Sequence, residues 1–159
     1  MQKLPVFKTD HKQDLNNYRP ISILPYFSKI LEKVVFKRTM DFVTKSSILY
    51  DKQFGFHQKH STAMALLKTV DQISEAIDNK KTTVGVFIDL SNAFDTVDHK
   101  ILLQKLENYG LRGSVLKWFT SYLENRQQFV YLNNSCSRNL KVTCGVPQGS
   151  ILGPLYFIY

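Results

Sequence analysis

Between Thr82 and Leu90 the chain reads Thr-Thr-Val-Gly-Val-Phe-Ile-Asp-Leu, a β-branched, apolar run of strand length that delivers one carboxylate, Asp89. A strand apolar on nearly every residue expects cover on both faces and partners on both edges, so the segment predicts a central place in a sheet. An aspartate at the exit of such a strand is costly to bury unless it binds something. A hard cation such as Mg²⁺ would justify it best, because it takes carboxylate oxygens while keeping waters and substrate phosphates. A turn or helix N-cap aspartate is the plain alternative, and this segment alone leaves both open.

The remaining pattern mixes helices and strands. Residues 1–24 read as extended chain punctuated by Pro5, Pro20 and Pro25. From Pro25 to Thr44 apolar side chains at Phe27, Ile30, Leu31, Val34, Val35 and Phe42 predict a helix with that stripe inward. Ser61 is a candidate N-cap for a helix to Asp78, with Leu66, Leu67, Val70, Ile73 and Ile77 inward. Asp98 caps a helix to Tyr109 closed by Gly110, and Ser114 opens another to about Glu124. Residues 127–132 and 139–144 alternate as a hairpin around Asn133-Asn134-Ser135, and a last apolar helix or turn starts at Ser150. Without strict βαβ alternation the class is α+β.

The 159 residues suffice for one domain with a real core, and 21 basic against 13 acidic side chains give a net charge of +8. A basic balance of this size suits a polyanionic partner, and equally suits a protein that merely stays soluble. Cys136 and Cys144 are too few and wrongly spaced for a zinc site. No run approaches the roughly 18 apolar residues of a membrane span, and the start Met-Gln-Lys-Leu-Pro lacks a signal-peptide core. An intracellular protein, nuclear or cytoplasmic and not secreted, is expected.

Four segments in order carry a family resemblance: Asn17-Tyr-Arg-Pro-Ile-Ser, Gln53-Phe-Gly-Phe, Phe87-Ile-Asp-Leu-Ser-Asn-Ala-Phe-Asp-Thr-Val and Gly145-Val-Pro-Gln-Gly-Ser-Ile-Leu-Gly-Pro. Together they resemble the reverse transcriptase of non-LTR (LINE-type) retrotransposons, from about residue 5 onward. The resemblance implies the fingers (about residues 1–80, with an N-terminal extension) and an incomplete palm (about 81–159) of a right-hand polymerase, with the thumb absent. It implies an RNA-directed DNA polymerase acting on an RNA template, a DNA primer and deoxynucleoside triphosphates, with two Mg²⁺ or Mn²⁺ ions. Asp89 would be the first of three catalytic aspartates. The other two belong to a Tyr-x-Asp-Asp hairpin, and the sequence ends at Tyr159 before it, so this fragment alone is expected to be inactive. The missing palm and thumb of the parent protein count among its expected partners.

The same resemblance assigns roles. Asp89 and the backbone carbonyl of Leu90 would hold metal. Phe94 would stack beneath the sugar and exclude a 2′-hydroxyl, although its type alone fits an ordinary core aromatic. Gln148 and Gly149 lie in a tight turn where backbone and amide can approach a nucleotide, or form a simple loop before a helix. Arg19 and Lys29 resemble fingers residues that grip a triphosphate, or are solvated surface charges. His57 stands where relatives often place arginine and is a poorer phosphate clamp. Lys59 and His60 would compensate in part in the template or triphosphate role that the resemblance implies for this loop. Trp118, Phe119 and Tyr122 beside Lys117 and Arg126 could stack bases, but their helical spacing favours core packing. The alternative to a polymerase domain is a non-catalytic nucleic-acid-binding remnant of one. A Mg²⁺-dependent phosphatase or receiver domain built on Asp89 is disfavoured by the 127–144 hairpin and the Pro-Gln-Gly turn.

Overall fold

The computed structural model describes residues 1–57 and 59–158. The chain divides into two compact units, one from residues 1–41 with 92 onward, the other from residues 42–91.

In the first unit residues 1–24, expected as extended chain, form a hairpin of β1 (Gln2–Phe7) and antiparallel β2 (Tyr18–Ile23). Pro5 and Pro20 face each other in register. Just beyond the strands Lys8 N donates to Asn17 O at 2.8 Å, whereas Ser22 N points away from β1 and donates to Gln148 O at 2.8 Å. Antiparallel pairs alternate between bonded and non-bonded positions. The two prolines therefore occupy a non-bonded pair, where neither ring removes a ladder bond. A 3₁₀ turn at Leu15–Asn17 joins the strands, with the Asp14 carboxylate accepting from Asn16 N at 2.9 Å.

β3 (Gln127–Leu132) runs parallel to β1, with Gln2 opposite Phe129. It turns through Asn133 and Asn134, at φ 48° and 59°, into β4 (Ser135–Cys136). Positive φ at both positions is the type I′ geometry favoured in two-residue hairpins. The return arm is shorter than the expected 139–144. It resumes as β5 (Leu140–Lys141) with the register shifted by one residue, a bulge at which Ser137 N and Oγ both bond Val130 at 2.9 Å.

Helices form where caps and periodicity placed them: α1 (Tyr26–Lys45), α2 (Thr62–Asp78), α3 (His99–Asn108), α4 (Ser114–Leu123) and α5 (Gly153–Ile158). Ser61 Oγ accepts from Met64 N at 3.2 Å. The Asp98 carboxylate accepts from Lys100 N at 2.8 Å and Ile101 N at 3.0 Å, and these bonds hold its pKa below the ordinary value. The core of the first unit includes Leu102, Leu106, Phe119, Leu123, Val146, Leu152, Leu155 and Tyr156. Phe119 and Tyr156 meet edge to face at 5.8 Å, and Trp118 stacks on Tyr122 at 5.4 Å. Core packing, rather than a base-stacking surface, is the arrangement of this aromatic row. Leu152 and Leu155 are likewise core, and Tyr156 of α5 meets both Phe119 and Tyr122 of α4.

Three expectations fail. The strand over 82–90 does not form: the segment is extended without ladder pairing among the described residues, with Phe87 96% exposed and Val84, Val86 and Ile88 also exposed. A strand is held by its partners, and apolar sequence cannot substitute for them. The stripe Phe27, Ile30, Leu31 and Val34 of α1 faces outward, while Glu32, Thr39, Met40 and Val43 are buried. Glu32 can turn inward because its carboxylate finds donors there. In the second unit α2 keeps its Leu66, Leu67, Val70, Ile73 and Ile77 row, but all five are exposed and the helix buries no residue. Among the described residues no helix is long and apolar enough to cross a membrane.

Candidate active site

The first unit brings three of the four motif segments into contact. Val146 N donates to Phe94 O and Gly145 N to Val97 O, each at 2.7 Å. His99 Nε2 lies 2.7 Å from Gly145 O, so Nε2 carries the proton and donates. The approach depends on glycine: at φ +80° a Cβ on Gly145 would stand 2.7 Å from Asp95 O and 2.8 Å from Asp95 Cα. On the other side, Ser22 N bonds the Gln148 carbonyl, and a Cβ on Gly149 would come within 3.3 Å of Ser22 O. Ser150 locks the turn. Its N–H and Oγ both donate to Pro147 O, at 3.0 and 2.7 Å, and its Oγ accepts from Gly153 N at 2.8 Å.

Phe94 and Gln148 are both half-buried. The Phe94 ring stacks on Phe157 at 5.2 Å and 28°. Gln148 Oε1 is buried with no hydrogen-bond partner among the described residues, a group that needs a donor. Arg19, opposite Val6 in the hairpin, and Lys29, in the first turn of α1, are exposed. The other candidates belong to the second unit. Asp89 and Leu90 stand exposed on the unpaired segment. His57 and His60 meet edge to face with Nδ1 atoms in hydrogen-bond contact, and Lys59 beside them is exposed. A pair of divalent cations requires several oxygen ligands. Among the described residues no group of three or more His, Cys, Asp or Glu gathers, so the donor set here does not fit a two-ion site.

Two features carried no sequence signal. Lys3, 7% exposed, donates to Pro20 O at 3.3 Å and lines a cavity of about 170 Å³ with Asp95, His99 and Arg126. Burial pushes its pKa down, partly offset by the Asp95 charge. Glu32 is the other. A lysine near the N-terminus and a glutamate within an apolar stripe both read as solvated charges, and only the tertiary partners distinguish them.

Residues 9–159 match the family described as reverse transcriptase (RNA-dependent DNA polymerase). The chain is 42% identical over 147 residues to the "Probable RNA-directed DNA polymerase from transposon BS" of Drosophila melanogaster, covering 89% of this chain and 16% of that protein. It is 36% identical over 160 residues to the corresponding polymerase from transposon X-element of the same organism, covering 98% and 18%. Over 147 residues it is 35% identical to the polymerase of the mobile element jockey, again from Drosophila melanogaster, covering 92% and 16%. The chain thus spans about a sixth of the length of these relatives.

Proposed function

The chain belongs to the reverse transcriptase family, and we propose that it supplies the fingers and first part of the palm to a non-LTR retrotransposon enzyme that adds deoxynucleotides to a primer on an RNA template. The observation that carries the reading is the docking of Phe94–Val97 on Gly145–Val146, which holds an aromatic ring and the Gln148 turn in one compact unit. Phe94 walls the sugar and disfavours a 2′-hydroxyl. Gln148, whose Oε1 has no partner among the described residues, orients the nucleotide by hydrogen bonding, and Gly149 lets backbone come close. Arg19 and Lys29 neutralise triphosphate, and the loop at His57 and Lys59 meets template or triphosphate.

Reverse transcriptases use divalent metal ions. Asp89 and the Leu90 carbonyl are the donors this chain offers to Mg²⁺ or Mn²⁺, and they fall short of a two-ion cage by themselves. That shortfall, with the +8 charge, supports a second reading for the 159-residue polypeptide alone: it binds RNA or primed duplex in a salt-dependent way without extending it. Primer extension tests both. The polypeptide joined to the C-terminal remainder of the transposon BS relative should extend a primed RNA template, and the 159 residues alone should only bind it. No extension by the joined enzyme would refute the polymerase reading.

A further inference from the structure

Glu32 sits in the second turn of α1, 1% exposed, and its two carboxylate oxygens are used separately. Oε1 accepts from the Tyr122 hydroxyl of α4 at 2.7 Å, and Oε2 accepts from Ile151 N at 2.8 Å. Ile151 directly follows Ser150, the residue that locks the Pro-Gln-Gly-Ser turn, and Gln148 lies three positions earlier. One turn back along α1 from Glu32 stands Lys29. A single buried carboxylate therefore ties the helix bearing one proposed triphosphate contact to the turn bearing the proposed nucleotide contact. Tyr122 is itself braced: the Arg126 guanidinium lies 4.6 Å over its ring, and Arg126 Nη1 donates to the Tyr122 carbonyl at 3.2 Å.

A buried charge would be replaced by an apolar side chain at little cost if packing were its whole purpose. What an apolar side chain cannot do is accept from two donors on separate elements at fixed geometry. We infer that Glu32 is a positioning residue, with Tyr122 as its strut, and that it sets where the 148–151 turn sits relative to α1 and so where Gln148 presents its amide. This role rests on the nucleotide reading of Gln148 for its consequence, but the tie itself is independent of that reading.

The variants follow from donor chemistry. Glu32→Met fills the volume and removes both acceptors. Glu32→Gln can still accept from Ile151 N while its NH₂ donates to a Tyr122 hydroxyl turned to accept, so it is the conservative rescue. Residue-resolved amide exchange on the 159-residue chain compares Ile151 with core amides of α3 such as Leu106. In Glu32→Met, Ile151 should exchange at least tenfold faster relative to Leu106, and in Glu32→Gln the ratio should stay within threefold of wild type. Should Glu32→Met not fold, Tyr122→Phe decides by the same ratio, with an expected rise of threefold or more. An unchanged ratio, or a uniform rise across all amides, would overturn the positioning role. In the joined polymerase Glu32→Met should raise the deoxynucleotide KM about tenfold with kcat less affected, and Glu32→Gln should restore it. A KM unchanged in Glu32→Met would also overturn the role. A wild-type joined enzyme without activity would instead sink the polymerase reading and leave the exchange ratio to judge the tie.

Discussion

Replacing Gly145 by alanine tests the contact that holds Phe94 against the Pro-Gln-Gly turn. The new Cβ would lie 2.7, 2.8 and 2.9 Å from Asp95 O, Cα and C, all backbone atoms that no rotamer change can clear. Overpacking of this kind costs about 1–3 kcal/mol, and an L side chain in a left-handed conformation, here φ +80°, adds roughly 1–2 kcal/mol. The sum is about 2–5 kcal/mol, a large share of the ~5–15 kcal/mol that stabilises an ordinary domain. Gly113 is the internal control: it has φ +63°, but its Cβ would meet nothing within 4 Å, so Gly113→Ala bears only the backbone strain. Urea unfolding of both variants, followed by near-ultraviolet signal from Trp118 in the same unit, separates the two costs. Gly145→Ala should lose at least about 1 kcal/mol more than Gly113→Ala, the low end of the overpacking range. Equal losses would mean that the 92–98 and 145–150 segments are not docked as described.

Two further outcomes follow from the same unit. Phe94→Val in the joined polymerase should raise ribonucleotide relative to deoxynucleotide use, read as a ratio of kcat/KM values, and an unchanged ratio would return Phe94 to a packing role. Burial, then the bond to Glu32, push the Tyr122 hydroxyl up to about 12, above its ordinary 10. Its contribution is therefore whole below pH 10 and lost as pH rises from 10 through 12, about 2–3 kcal/mol for a two-unit shift. Denaturation at pH 9 and pH 11.5 should show the gap between wild type and Tyr122→Phe shrinking by an amount of that order. A constant gap would contradict the burial of that hydroxyl.

What the sequence made legible was local. Ser61 and Asp98 cap their helices because an oxygen two or three residues ahead of free N–H groups needs no tertiary partner, and Asn133-Asn134 fixes its turn by backbone preference alone. What it hid was tertiary. The apolar run 82–90 reads as a central strand, yet pairing decides strand formation, and that pairing is not made among the described residues. Periodicity finds the α1 stripe but not its direction, since the burial of Glu32 depends on Tyr122 ninety residues away. The motif order identified the family and pointed to Phe94, Gln148 and Gly149, which the first unit gathers. Asp89, His57 and Lys59 fall in the other unit, and their roles rest on the family resemblance alone.

The most direct test of the polymerase reading is primer extension on a primed RNA template by the polypeptide joined to the remainder of a relative, with and without Asp89→Asn. The wild-type joined enzyme should incorporate deoxynucleotides with Mg²⁺ or Mn²⁺. Asp89→Asn should fall to background with template affinity nearly unchanged, because loss of a shared metal ligand removes several kcal/mol (~3 or more) of transition-state stabilisation. Asp89→Asn activity above a tenth of wild type, equivalent to a loss below about 1.4 kcal/mol, would contradict the assignment of Asp89. A wild-type joined enzyme that binds template but adds no nucleotide would contradict the account as a whole.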